Sequence, residues 1–430
     1  MERVVSLLKW LYPGMRVKRW MLIVLLGAFL DAAGFTLLLG LRVLDWLTVL
    51  DSEVYKLTGH FVPGVTTLIG LFTTSAGVAL IFTGVRQVVR SITSVISPEH
   101  QKGLADVMYR RRVLAAGERI VAIGGGTGLS TLLRGVKEFT SNITAIVTVT
   151  DDGGSSGRLT REFGILPPGD IRNCLVAMAD EEQLMSRLLQ HRFSESSSSL
   201  DGHSLGNLFL TAMTQITGDF ELAVRETGRV LAIRGLVLPS TTDSVSLEAE
   251  LIDGTVVCGE TQITKAGIAS TLAQLRLVPS SVSALPDAVE AVKRASIVVI
   301  GPGSVYTSII PNLLVKGIAE AVATTRALRV YVCNVMTQPG ETDGYAASDH
   351  VRAIEKQVGA RVFDYVVVNN RAPSEHVLKR YAAEGAYWVR PDVDRIRQMG
   401  YRVVAGDFIS DQDLVRHDPS ALARAIMSLL

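Results

Sequence analysis

Two segments near the middle of the chain leave little freedom in what it can fold into: Ile120–Ser130, IVAIGGGTGLS, and Thr148–Leu159, TVTDDGGSSGRL. The first is a β-branched run breaking into a glycine turn that opens a helix. The second is another strand, ending in two carboxylates and a Gly/Ser loop. Together they predict a βαβ unit whose two loops lie side by side at the carboxyl edge of a parallel sheet. That edge is where α/β proteins hold nucleotides.

From Arg119 onward, short β-branched runs alternate with helical stretches, the pattern of a parallel sheet covered on both faces. Strands are expected at Ile120–Ile123, Ile143–Thr150, Ile297–Ile300, Val330–Val335 and Tyr365–Val368. Helices are expected at Gly128–Phe139, Asp170–Ala179 and Leu205–Ile216. Val230–Pro239 and Val245–Gly259 read as further strands, with Asp253-Gly254 as a hairpin turn, so a β-rich insertion divides the α/β unit. A last helix starts with Asp418 as N-cap and Pro419 in its first turn.

The first hundred residues are of another kind and raise the mean hydropathy to +0.30. Trp20–Leu41 is apolar apart from Asp31, and Val62–Val85 carries no charge. Each is long enough to span a hydrocarbon core of ~30 Å. Lys9, Arg16, Lys18 and Arg19 precede the first span, and Arg86, Arg90, Lys102 and Arg110–Arg112 follow the second. The intervening loop holds Asp45, Asp51 and Glu53 against Arg42 and Lys56. The positive-inside rule then puts both termini in the cytoplasm. Residues 1–97 read as a two-span membrane hairpin, 98–118 as a juxtamembrane linker and 119–430 as the α/β domain. A long first span followed by a second argues against a cleaved signal peptide. Asp31, costly in lipid, is expected against the second helix or a partner subunit. Gly64, Gly70 and Gly77 permit close helix approach without forming GxxxG.

A net charge of +1 argues against a basic nucleic-acid binder. Cys174, Cys258 and Cys333 are widely spaced and form no metal motif. The amides of Gly124, Gly125, Gly126 and Gly128, with Thr127, are suited to a phosphate at a helix N-terminus. The segment is neither GxGxxG nor a lysine-bearing P-loop. Asp151 and Asp152 stand where an acid meets ribose hydroxyls, or hold Mg²⁺ among phosphates. Gly153, Gly154, Ser155 and Ser156 add donors. LPPGDIRNC presents Asp170, Arg172 and Asn173, the arginine suited to phosphate or carboxylate. GHSLGNL places His203 and Asn207 four apart, on one helix face, as ligand contacts. Ser194–Ser199 reads as a flexible loop or a lid. GPGSVYTS offers Gly301, Gly303 and Ser304 to a second phosphate or a sugar, with Tyr306 stacking on a base. Asn334, Thr337, Gln338, Glu341 and Thr342 form a polar cluster after another strand.

The motifs GGGTG, TDDGGSSGRL, PPGDIRNC, GHSLGNL, GPGSVYTS and CNVMTQPGET together resemble the CofD-like family, and more closely its gluconeogenesis-factor (YvcK) branch. The resemblance spans Arg119–Leu430 and implies a Rossmann-like fold with a pocket for a nucleotide-containing metabolite. It further implies a regulator that binds a UDP-sugar and links carbon metabolism to cell shape and envelope synthesis. The alternative it carries is a phospholactyl transferase acting on a deazaflavin. A dinucleotide-dependent oxidoreductase rests on the βαβ unit alone. A homo-oligomer is expected.

Overall fold

The computed structural model describes residues 18–38, 52–53, 55–57, 59, 65–96, 112–180, 182–194, 199–410 and 415–430. The chain divides into two units, Met1–Arg110 and Arg111–Leu430. The loop charges Arg42, Asp45 and Asp51, Gly64, most of the linker and residues 195–198 lie outside the described residues.

In the first unit, α1 (Lys18–Leu38) and α2 (Val65–Ile96) pack together along their length. Each contains a stretch long and apolar enough to cross a membrane, Trp20–Leu37 and Leu68–Val88. The second helix continues well past the Val85 boundary expected from hydropathy. Glycines spaced by seven, Gly27 and Gly34 facing Gly70, Gly77 and Gly84, bring the two backbones close, because a seven-residue step returns to the same helix face. A Cβ on Gly27 would lie 2.8 Å from the Gly77 carbonyl oxygen. Asp31 lies in this seam, where a Cβ on Gly77 would be 2.6 Å from its Oδ1. It therefore meets the second helix, while Leu22, Leu25, Phe29, Phe72 and Phe82 point outward.

The second unit is built on seven parallel strands: β1 (Ile120–Gly124), β2 (Ile143–Val147), β3 (Leu236–Pro239), β7 (Ile297–Ile300), β8 (Leu328–Val332), β9 (Tyr365–Asn369) and β10 (Arg402–Gly406). Their order is β10-β9-β8-β7-β1-β2-β3. Between β3 and β7 the chain inserts an antiparallel sheet, β4 (Ser246–Leu251), β5 (Val256–Cys258) and β6 (Leu272–Val278). A small ribbon, β11 (Ile409–Ser410) with β12 (Arg416–His417), closes the C-terminal side.

The parallel strands are β-branched because both faces are buried. Val121, Ile123, Val298 and Ile300 enter one core, which the insertion shares. Ile120, Ala122, Ile297 and Val299 enter the other. The second core is covered by α3 (Gly126–Val136), α5 (Gly169–Met178) and α8 (Pro419–Met427), with α4 (Gly154–Phe163) and α6 (Leu205–Thr217) nearby, while α7 (Glu260–Gly267) packs on the insertion. Asp418 caps α8, its Oδ1 accepting from the Ala421 amide at 2.6 Å.

Val230–Pro239 is not one strand. Val230 ends the helix Phe220–Val230, whose Asp219 caps it by accepting from Leu222 N, and only Leu236–Pro239 pairs with β2. Gly235, at φ 106°, makes the turn between them.

The strand order fixes where a ligand fits. From β1 the chain winds outward through β2 and β3, then returns to the other side of β1 and winds outward through β7–β10. The loops after β1 and β7 therefore part in opposite directions. That reversal opens a crevice at the carboxyl ends of the two strands.

Candidate functional site

At this crevice is a cavity of about 290 Å³. One wall is Thr127, Gly128 and Thr131 from the start of α3, and another is Pro302, Gly303 and Ser304 after β7. Asn334, Val335 and Met336 follow β8, while Tyr381, Val415, Arg416 and His417 close the far side. The start of α3 carries no side-chain cap on Gly125. The Gly126 amide is taken by the Asp170 carboxylate, which leaves the amides of Thr127 and Gly128 for an anion, with the helix dipole adding partial positive charge.

The two walls hold each other. Asn334 clamps the Gly303 peptide, accepting from its nitrogen at 3.0 Å and donating to its oxygen at 2.7 Å. Gly301 N donates to Ile123 O at 2.8 Å, tying β7 to β1. Gly128 packs against the Pro302 carbonyl so closely that no side chain fits between them.

A second pocket, about 170 Å³, opens toward the insertion and contains Asp151, Asp152, Thr160, Arg161 and Gly259. Asp151 Oδ1 accepts from Gly153 N, and Asp152 Oδ1 accepts from the amide and hydroxyl of Thr261 at 3.0 and 2.8 Å. Carboxylates crowd this side. Burial, then Asp151, pushes Asp170 up to about 6, with the Gly126 amide and Arg172 pulling it down. Glu260, at the first turn of α7, is pushed to about 9 by burial and by Asp151, Asp170, Glu341 and Asp152. Even so, among the described residues no group of three or more His, Cys, Asp or Glu side chains is gathered to hold a metal ion.

The other expected site residues form supports. Arg172 is buried and donates to Ser204 Oγ, to Asn207 Oδ1 at 3.0 Å and to Asn173 Oδ1 at 2.8 Å. Its two Nη atoms are turned to protein acceptors, while its buried Nε has no partner among the described residues. His203 does not share a helix face with Asn207, because α6 begins at Leu205 with Ser204 as cap. The two residues meet instead on Ser155 Oγ, which lies 3.0 Å from His203 Nδ1 and accepts from Asn207 Nδ2 at 3.0 Å. Burial, then Arg158, holds His203 below its ordinary range. Ser156 and Asp151 pack against Gly169, and Gly153 and Gly154 form the turn into α4. Gly124 O is taken by Thr148 N and Asn312 Nδ2, and Gly125 lies against Asp170.

Tyr306 does not stack on a ligand. It is 3% exposed in the core, and its hydroxyl meets that of Tyr345 at 2.9 Å. Its neighbours are likewise committed: Glu341 accepts from Tyr306 N and Thr307 Oγ1, and Gln338 donates to Glu341 at 2.6 Å. Gln338 also accepts from Ser304 Oγ, Thr342 Oγ1 accepts from Gln338 N, and Thr337 Oγ1 accepts from Tyr387 N. Burial raises Glu341 to about 7 against the pull of the Thr307 hydroxyl and the nearby amides. The polar cluster after β8 thus shapes two loops and presents little to a ligand.

Sequence reasoning missed Arg416, His417 and Glu260. The pair at 416–417 directly precedes the Asp-Pro helix start and carries no motif of its own.

The family model for 2-phospho-L-lactate transferase CofD matches residues 120–409. The chain belongs to the CofD family. Relatives within it fall into two lengths. A Nostoc sp. protein is 48% identical over 433 residues, 99% of this chain and 93% of its own. Proteins named gluconeogenesis factor, from Halalkalibacterium halodurans and Bacillus subtilis, are 49% and 47% identical over 311 and 313 residues. These cover 72% and 73% of this chain but 96% and 98% of themselves. A crystal structure of a UPF0052-family protein from Bacillus halodurans superposes with a TM-score of 0.70 at 47% identity. It covers 72% of this chain and 99% of its own. CofD-family proteins therefore include ones whose length is nearly all α/β unit.

Proposed function

We propose that the α/β unit binds a nucleotide-sugar, a UDP-sugar by preference, and acts as a regulator of gluconeogenic carbon use and of cell shape and envelope synthesis. The observation that carries this is the composition of the switch-point cavity. Its lining includes the start of α3 at Thr127 and Gly128, whose amides are free of a side-chain cap, and the cation Arg416, both suited to a pyrophosphate. The rest is lined by Val335, Met336, Tyr381 and the ring of His417, suited to an uncharged base or sugar. The gluconeogenesis-factor names of the two shorter relatives support the regulatory half of the reading. Titration calorimetry with UDP-N-acetylglucosamine, UDP-glucose, GDP and NAD, with and without Mg²⁺, tests it. Thr127→Ala should weaken UDP-sugar binding about threefold and Arg416→Ala about tenfold, the latter for a lost charge-assisted contact of ~1.5 kcal/mol. A preference for GDP, or no UDP-sugar binding, would sink the reading.

The carboxylate-lined pocket beside the cavity favours one second reading, a CofD-like transferase with a deazaflavin acceptor. In that case GDP should bind in preference to UDP-sugars, and turnover with the deazaflavin should be measurable.

The hairpin is proposed as a membrane anchor with both termini and the α/β unit in the cytoplasm. The exposed belt of Leu22, Leu25, Phe29, Phe72 and Phe82 supports this. Full-length protein should remain in carbonate-washed membranes, and residues 112–430 should fractionate as soluble protein. Recovery of both in the soluble fraction would defeat the anchor.

A further inference from the structure

The switch-point cavity contains a group that the protein itself leaves unanswered. His417 lines it on β12 and is only 7% exposed, yet its Nε2 has no hydrogen-bond partner among the described residues. Buried imidazole nitrogens are normally satisfied, so an orphan on a cavity wall points to a missing partner. Arg416, the preceding residue, lines the same cavity and remains exposed, so the ribbon brings both a cation and an imidazole to it.

We propose that His417 reads an uncharged hydrogen-bond donor on the ligand, so that the ligand lies with its phosphates toward α3 and Arg416 and its base or sugar toward His417. This rests on the nucleotide-sugar reading and adds to it an orientation and a residue that sets specificity. The chemistry follows from the ring. A neutral imidazole carries one N–H and one bare nitrogen, and the bare nitrogen only accepts. Burial holds His417 neutral, with a pKa near 4, although the backbone of Cys333 favours the protonated ring. A neutral acceptor repels phosphate oxygens and suits an imide N–H or a hydroxyl. The side chains nearby agree with that assignment, since Met336, Val335 and Tyr381 offer apolar surface to a ring and no cation.

The test is a cycle between protein and ligand, on full-length protein in detergent. UDP-N-acetylglucosamine is titrated into wild type, His417→Phe and His417→Gln, and so are UDP and the N3-methyluracil analogue of the nucleotide-sugar. His417→Phe should bind UDP-N-acetylglucosamine at least tenfold more weakly, and His417→Gln, which keeps an acceptor, within threefold of wild type. If the imide N–H is the donor, the penalty of the phenylalanine vanishes with the N3-methyl analogue. If a sugar hydroxyl is the donor, it vanishes with UDP. A phenylalanine variant that binds all three ligands as wild type does overturns the assignment, as does a penalty equal for all three. Should both variants fail to fold, wild type must still lose tenfold on N3-methylation or on deoxygenation of a sugar hydroxyl, and loss on neither overturns it. Wild type that binds no UDP-sugar defeats the nucleotide-sugar reading itself, a result separable from failure of His417 alone.

Discussion

Gly128→Ala should abolish nucleotide-sugar binding, with a loss of at least a hundredfold by calorimetry, and lower the unfolding midpoint by several degrees. The new methyl would stand 2.7 Å from the Pro302 carbonyl carbon and 3.0 Å from Gly303 N. These are backbone atoms, so no rotamer change relieves the overlap. One of two things must move, the start of α3 or the loop after β7. Neither is free, because Asn334 clamps Gly303 and Gly301 is bonded to Ile123 across the strand pair. Overpacking of this kind costs about 1–3 kcal/mol in stability. The effect on binding should be larger in proportion, since the two loops are opposite walls of one cavity and a shift of about 1 Å spoils both. The comparison variant is Thr127→Ala, one residue away, which removes a hydroxyl from the same wall without displacing it. Equal losses in the two variants would show that wall spacing is unimportant.

The frame around that cavity was legible in the sequence because it depends on local pattern. β1 and β7 are short β-branched runs ending at glycine loops, and Asp418-Pro419 is a strong helix start. Pattern also placed the hairpin at Asp253-Gly254, between β4 and β5. It failed at Val230–Pro239, where apolar residues ending a helix and apolar residues of a strand run together across Gly235. The site was only half legible for a related reason. A sequence shows which side chains are polar but not whether the protein has already used them. Arg172, Asn334, Gln338 and Glu341 looked like ligand contacts; Arg172 is bonded to Ser204 and Asn207, and the other three to the loop after β7. Tyr306 looked like a stacking ring and is a core residue, because the chain after β7 turns inward at Val305–Ile309. Arg416 and His417 gave no signal, since the ribbon that brings them to the cavity pairs residues across a chain reversal. The glycine seam of the hairpin was partly legible: Gly70 and Gly77 stood out, but Gly27, Gly34 and Gly84 acquire meaning only once the helices are set side by side.

Glu260→Gln should stabilise the α/β unit by up to about 6 kcal/mol at pH 9 and leave it unchanged at pH 4. Glu260 has an ordinary pKa of 4.5 and in the fold is pushed to about 9, first by burial and then by Asp151, Asp170, Glu341 and Asp152. Between those values the folded protein keeps a proton that the unfolded chain has released. The native state therefore binds more protons, and stability falls as pH rises through the interval, at up to 1.36 kcal/mol per pH unit for one group. Asp170 and Glu341, raised to about 6 and about 7, add their own slopes below pH 7 in wild type and variant alike. The window from pH 7 to 9 isolates Glu260: there the wild type should continue to lose stability while the glutamine variant levels off. Denaturant unfolding of residues 112–430 at half-unit steps of pH reads the difference directly, and parallel curves across that window would show that Glu260 is ionised in the native protein. The direction of the effect bears on function as well. A protonated Glu260 spares the pocket one negative charge beside Asp151, Asp152 and Asp170, so the acidic side is less hostile to an anionic ligand than its residue count implies. That neutrality should disappear above pH 9, where nucleotide-sugar affinity is expected to fall.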